Sequence, residues 1–327
     1  MSISRRSFLE SAAFASLTAQ TAALAAEADK KTGMPTRILG KTGARVSIVG
    51  MGCGSRLLSY KDEDKAIEAL HRAMDLGVTY LDTAYGYGSG KSETWVANAI
   101  KGRRKGLWVT TKINERNPAK ASKILEESMK RLQLDQVDLI HVHSLLGPED
   151  LAEVEAKGGV LDILYKLREQ KVTRFIGFTS HTDPKTLAAA LERHDVDCTQ
   201  MALNVALVGM VNGQGGMVMN KELTDSFERI ALPVALKKKM GVTAMKTFAQ
   251  DGLIGAAPIE TLMRYSLTLP VAATVLGMPK LSHIDENIAA AKAFKPLSKS
   301  EMRDLSDKMS RQHKARLDRY FRDHVDA

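Results

Sequence analysis

Eight short β-rich runs alternate with eight helical patterns along this chain, and that alternation constrains the fold more than any other feature. The runs are Val46 to Val49, Val78 to Leu81, Leu107 to Thr111, Val137 to Val142, Phe175 to Phe178, Cys198 to Ala202, Val242 to Met245 and Ala272 to Leu276. Apolar spacing at helical period predicts helices over Asp64 to Leu76, Ser92 to Ile100, Ala119 to Leu132, Leu161 to Gln170, Pro184 to Arg193, Phe227 to Lys239, Pro258 to Leu267 and Ile284 to Ala293. Glycines 77, 106 and 241 punctuate the joints. Repeated strand–helix units make parallel sheets, and eight units close a (β/α)8 TIM barrel of the α/β class. An open doubly wound sheet is the competing arrangement. It carries Gly-x-Gly-x-x-Gly after its first strand, and Gly50-Met51-Gly52-Cys53-Gly54-Ser55 lacks that spacing. Ahead of the barrel, two alternating stretches flank Gly40-Lys41-Thr42-Gly43, predicting a short N-terminal β-hairpin.

A chain of 327 residues fits a single barrel domain of about 250 residues plus extensions. The net charge of +9 allows an anionic ligand or nucleic acid. The basic residues are dispersed, however, and the densest group, Lys292 to Arg322, is mixed with acids at helical spacing. No basic stripe interleaved with aromatics points to nucleic acid. Two cysteines, Cys53 and Cys198, cannot build a disulfide framework or a multi-cysteine metal site, and they read as packing residues.

Residues 1–25 have the composition of an address. Arg5 and Arg6 precede an alanine-rich run, and Ala23-Leu24-Ala25 offers small residues to a signal peptidase. This resembles the twin-arginine export signal and implies passage through the twin-arginine machinery to a bacterial periplasm. Such proteins cross already folded, which fits a tightly held cofactor. No segment is long and apolar enough to predict a stable membrane span.

The stretch Asp82-Thr-Ala-Tyr-Gly-Tyr-Gly-Ser-Gly-Lys-Ser-Glu93 ends like a phosphate-cradling P-loop. A P-loop needs glycine where Tyr85 stands, so that reading fails. The head of the stretch is more informative. Asp82 follows the second β-run, Lys112 ends the third, and His143 ends the fourth, with Tyr87 in the second loop. In a barrel these are C-terminal strand ends, where loops build the active site. Singly, each has an ordinary structural role: a turn cap, a loop ring, a surface lysine, a core histidine. Jointly they make a proton-transfer set. A phenol has a reference pKa of about 10, and a neighbouring ammonium favours its ionised form. With Lys112 held by Asp82, Tyr87 becomes a competent general acid, and neutral His143 can hydrogen-bond the same substrate oxygen.

These segments, Asp82-Thr83-Ala84 with Tyr87-Gly88 and Glu93, Thr111-Lys112, and Asp138-Leu139-Ile140 with His143, resemble the catalytic tetrad segments of the aldo-keto reductases. The resemblance covers about Thr36 to Ala293 (residues 36–293), and residues 294–327 form a charged helical extension. It implies an NAD(P)H-dependent oxidoreductase passing hydride from NADPH or NADH to a small aldehyde or ketone. By motif, Thr179, Ser180 and Gln200 hold the carboxamide, Gly52 lies beside the cofactor, and Lys246 starts the pyrophosphate loop. Gly277, Glu286 and Asn287 serve the adenosine end, with Lys280 as a cation for a 2′-phosphate, which favours NADP. Departures from the pattern are Ser180 in place of an amide, Met245 in place of a stacking aromatic, and His283 in place of an arginine.

Two other functions fit the same fold. His141 and His143 share a strand face, as metal ligands do, and His181 follows the next strand, which fits a metal-dependent hydrolase. That reading gives Asp82, Tyr87 and Lys112 no work. A non-catalytic protein that retains a nucleotide is the other alternative. The Gly- and Met-rich segment from Leu203 to Asn220 is long for a plain connection and reads as a loop over a site.

Overall fold

The computed structural model describes residues 26–209, 211–213, 216–218 and 225–322. The export leader expected at residues 1–25 lies outside them. The strands in chain order are β1 (Glu27–Ala28), β2 (Pro35–Ile38), β3 (Arg45–Ser47), β4 (Val49–Gly52), β5 (Tyr80–Asp82), β6 (Trp108–Ile113), β7 (Val137–Val142), β8 (Thr173–Ser180), β9 (Cys198–Ala202), β10 (Val211–Gly213), β11 (Gly216–Val218), β12 (Gly241–Met245) and β13 (Ala273–Leu276). Strands β4 to β9, β12 and β13 form one closed parallel barrel in the order β12-β13-β4-β5-β6-β7-β8-β9. Helices on the outer wall follow the strands, including Glu63–Asp75, Lys91–Ile100, Pro118–Leu132, Val160–Glu169, Pro184–Arg193, Ile259–Thr268 and Leu281–Lys292.

Local chemistry sets the helix starts. Asp62, Asn117 and Asp183 each accept a backbone N–H of the first turn, and proline follows directly at Pro118 and Pro184. Such caps contribute about 1 kcal/mol each. Strand alternation then sorts the barrel into two cores. Outward residues such as Val49, Leu81, Val109, Ile140 and Ile176 pack against the helices. Inward residues Tyr80, Trp108, Leu139, Cys198 and Val275 fill the lower bore with Leu39 and Val46 of the hairpin. Trp108 stacks between Tyr80 and Phe175 there, at centroid distances of 6.2 and 5.5 Å.

The expected hairpin is β2–β3, widened by β1 into a three-stranded sheet that plugs the N-terminal end of the barrel. The first barrel strand lies later than the sequence indicates. Val46 and Ser47 belong to the plug, and the chain enters the barrel only at Val49. Two helices that the apolar pattern does not reveal, Ser55–Leu58 and Pro148–Glu155, stand in the loops after β4 and β7. A last helix, Lys299–Arg322, buries one face through Met309, Leu317 and Phe321. Among the described residues, no helix is long and apolar enough to cross a membrane.

Candidate active site

Strands β5, β6 and β7 are neighbours, so Asp82, Lys112 and His143 arrive at adjacent strand ends. Tyr87 follows β5 in a tight turn, and Gly88, Ser89 and Gly90 adopt positive φ before the helix Lys91–Ile100 begins. This turn is anchored from below. Thr83 and Ser92 hydroxyls meet at 2.7 Å, and Ser92 donates to the Cys53 carbonyl at 2.6 Å. Glu93, fully buried, accepts from Thr111 at 2.6 Å and pairs with Arg131 at 3.3 Å, tying the helix to β6.

The Lys112 ammonium is enclosed, at 1% exposure, and its three protons have three acceptors. They are Asp82 Oδ1 at 2.5 Å, the Thr83 carbonyl at 2.9 Å and the Tyr87 hydroxyl oxygen at 3.2 Å. Since the phenol oxygen accepts from the ammonium, its own O–H is a donor in another direction. Asp82 is held on its second oxygen by Gln200 Nε2 at 3.1 Å. His143 stands edge-on to the Tyr87 ring, centroids 5.7 Å apart. Its backbone is fixed by Arg116, which donates to the His143 carbonyl at 2.9 Å and forks onto Asp150 at 2.6 and 3.0 Å.

A cleft of about 300 Å³ opens over this cluster, lined by Asp82, Tyr87 and Gln200 at one end and running past Gly52 and Gly277 to the loop after β12. Its floor between β4 and β13 is bare backbone: a Cβ at Gly52 would lie 3.2 Å from the Gly277 amide nitrogen. Lys246 and Arg56 bring two cations to the walls. Arg56 is ion-paired with Asp251, joining the turn after β4 to the loop after β12 across the cleft. Three consecutive residues of that loop, Ala249, Gln250 and Asp251, have positive φ, as does Lys246, a strained backbone of the kind that gathers at ligand sites. Bare backbone and two cations fit the diphosphate of an extended dinucleotide.

Of the residues expected to hold a cofactor, Gly52, Gln200, Lys246 and Gly277 line this cleft. Thr179 and Ser180 do not: Thr179 accepts the Ser144 N–H at 2.7 Å and Ser180 donates to the Leu145 carbonyl at 2.7 Å, bracing the loop after β7. Lys280 stands just before the helix Leu281–Lys292 without a side-chain capping bond, and that helix carries exposed Glu286 and buried Asn287 just past Gly277. Arg56, Asp251 and Tyr320 also line the cleft and are absent from the sequence-based set. Arg56 had a signal, standing right after Gly52 and Gly54 at a strand end. Tyr320 had none.

Among the described residues, no group of three or more His, Cys, Asp or Glu is arranged to hold a metal. His141 is fully buried inside the bore with neither ring nitrogen hydrogen-bonded, and burial, then the Lys112 charge, holds its pKa well below the usual histidine value. Cys53 and Cys198 are buried, and desolvation raises both thiols, so neither is a nucleophile.

An eight-stranded parallel barrel with a Lys–Asp–Tyr cluster at its C-terminal end defines the class: a barrel enzyme equipped for proton transfer. The sequence pattern described as "Aldo/keto reductase family" matches residues 49–257, so this chain belongs to that family and is an oxidoreductase. It is 25% identical over 310 residues to the uncharacterized oxidoreductase YqkF of Bacillus subtilis, covering 83% of this chain and 95% of the relative. In three dimensions it is similar to the holo form of aldo-keto reductase AKR11C1 from Bacillus halodurans, with TM-score 0.68, 23% identity and coverage of 84% and 96% of the two chains. It is also similar to an aldo-keto reductase from Klebsiella pneumoniae in complex with NADPH, with TM-score 0.64, 20% identity and coverage of 84% and 94%.

Proposed function

We propose that this protein is an NAD(P)H-dependent carbonyl reductase in which Tyr87 is the general acid. The observation that carries the reading is the single ammonium of Lys112 in contact with both Asp82 and the Tyr87 hydroxyl. Carbonyl reduction adds hydride to carbon and a proton to oxygen. A bound reduced nicotinamide supplies the hydride. Tyr87 gives its proton to the substrate oxygen as negative charge builds there, and the Lys112 ammonium stabilises the phenolate that remains. Asp82, fixed by Gln200, keeps Lys112 in place. His143, beside the Tyr87 ring, orients the carbonyl oxygen. Gly52, Gly277, Lys246 and Arg56 hold the diphosphate, and the helix carrying Glu286 and Asn287 lies on the adenosine side. NADPH is favoured over NADH by the cation Lys280 on the adenosine side, and by the NADPH-bound Klebsiella relative.

Residues 1–25 are proposed as a twin-arginine leader that delivers the folded, cofactor-loaded protein to a bacterial periplasm. Two measurements test the whole reading. Mass spectrometry of ligand released from native exported protein is expected to detect NADP or NAD. Mixing the protein with NADPH and a panel of aldehydes and ketones is expected to oxidise the cofactor. Failure of every carbonyl to oxidise a cofactor that does bind would leave only a nucleotide-retaining protein.

A further inference from the structure

The N-terminal end of the barrel, opposite the candidate active site, carries a second recess of about 510 Å³. It opens where the plug strand β3 meets the starts of β6, β7 and β8. Four cations line it, Arg45, Arg104, Lys105 and Arg174, against a single carboxylate, Asp138. Trp108 opens β6 at this end, and Lys112 lies four residues further along the same strand, about 13 Å at a rise of about 3.3 Å per residue. The recess is therefore separate from the proton-transfer cluster.

Asp138 organises it. This residue is 2% exposed and both its oxygens are engaged: Oδ1 accepts from Arg174 at 2.7 Å, and Oδ2 accepts from Arg104 at 2.5 Å and from the Val109 N–H at 2.8 Å. Arg104 is held a second time, donating to the Leu107 carbonyl. Arg174 is held a second time by aromatic faces, its guanidinium 5.2 Å from the Phe175 centroid and 5.8 Å from that of Trp108. Both guanidiniums are thus fixed in place, yet their side chains stay 31% and 44% exposed. Closing the bottom of the barrel accounts for one guanidinium on Asp138, not for the surplus. One carboxylate neutralises one cation, and Lys105 makes no ion pair among the described residues. Arg45 pairs at 3.1 Å with Glu27, which is itself 72% exposed. Even with Glu27 counted, the recess keeps two more positive charges than negative ones.

We propose that this recess binds a free phosphorylated small molecule through Arg104, Lys105 and Arg174, with Asp138 setting the two guanidiniums. Forks already fixed lose little freedom when a ligand arrives, and they match phosphoryl oxygens bidentately. Two guanidiniums and an ammonium offer more N–H groups than the two oxygens of one carboxylate accept, whereas a phosphoryl group brings three. The volume suits a molecule of metabolite size. The site stands independently of the carbonyl-reductase reading.

The full chain is titrated with pyrophosphate by isothermal calorimetry at constant ionic strength, with acetate as the monocarboxylate control. Arg174→Met leaves Asp138 its Arg104 partner, and Lys105→Ala removes a group without an ion pair, so neither strands a buried charge. The cations of the catalytic cleft are controlled by the double variant Arg56→Met with Lys246→Met. Pyrophosphate is expected to bind the parent and the cleft double variant at the recess with equal affinity, roughly tenfold or more weakly in Arg174→Met, and about two- to fivefold more weakly in Lys105→Ala. Acetate is expected to give no saturable heat. Parental affinity in both recess variants overturns the proposal, as does binding lost only in the cleft double variant, or a parent that binds pyrophosphate no better than acetate. Should Arg174→Met fail to fold by circular dichroism, Lys105→Ala decides alone. Sedimentation with phosphatidylglycerol vesicles separates a free ligand from a lipid headgroup: no vesicle binding is expected, and vesicle binding abolished by Lys105→Ala, without binding of pyrophosphate, would overturn the free-ligand assignment.

Discussion

Gln200 and Asp82 stand on opposite strands of the barrel, β9 and β5, and meet across its bore at 3.1 Å. The amide thus holds the carboxylate oxygen that the lysine does not. Replacing it with leucine frees Asp82 to turn away from Lys112, and a lost hydrogen bond to a charged group costs about 1.5–3 kcal/mol. Gln200→Leu is expected to lower kcat roughly tenfold or more in steady-state assays of aldehyde reduction. An unchanged kcat would show that Asp82 needs no support from β9.

Stability and activity separate at Lys112. Lys112→Met leaves the Asp82 carboxylate buried without its cation, and breaking such a pair costs about 3–5 kcal/mol. The variant is expected to be inactive and strongly destabilised in urea unfolding. Adding Asp82→Leu removes the stranded charge and is expected to recover most of the stability and none of the activity. A double variant no more stable than the single one would mean that the pair is not the source of the loss.

The pH dependence of folding is predicted to carry the mark of His141. Its pKa in the folded protein is held well below the ordinary value of 6.5, first by burial and then by Lys112. Between those two pKa values the unfolded chain binds one more proton than the folded one, so stability falls as pH drops below about 6.5, by about 1.4 kcal/mol per pH unit. Chemical denaturation at a series of pH values checks the slope, and His141→Phe is expected to reduce it by about that amount. Equal slopes in parent and variant would place the proton uptake elsewhere.

The Arg56–Asp251 pair closes over the cleft but is partly exposed, with side-chain exposures of 35% and 61%. Pairs of this kind contribute about 0.2–1 kcal/mol. Asp251→Asn is therefore expected to speed NADPH release only about two- to fivefold in stopped-flow displacement, with the difference shrinking as salt is added. A much larger effect would make this pair a principal latch.

The barrel was legible in the sequence because its eight strand–helix units repeat at a regular spacing and each strand is a short apolar run. The run from Arg45 to Gly52 hid its division, since the chain passes from plug to barrel at Ile48 without a change in β character. Asp82, Tyr87, Lys112 and His143 were legible as a group because neighbouring strand ends are neighbours in space. Thr179 and Ser180 occupy such an end too, yet the loop after β7 folds back and takes their hydroxyls. Tyr320 comes from a helix whose charged pattern reads as a solvated surface. Only packing, through Phe321, brings it to the cleft.

The central claim is that Tyr87, next to the Lys112 ammonium, protonates the substrate oxygen. Single-turnover oxidation of bound NADPH by an aldehyde, in parent and Tyr87→Phe, tests it most directly. The prediction is an unchanged Kd for NADPH and a hydride-transfer rate reduced roughly 10²- to 10⁴-fold in the variant. Oxidation at the parental rate without the phenol hydroxyl would contradict it.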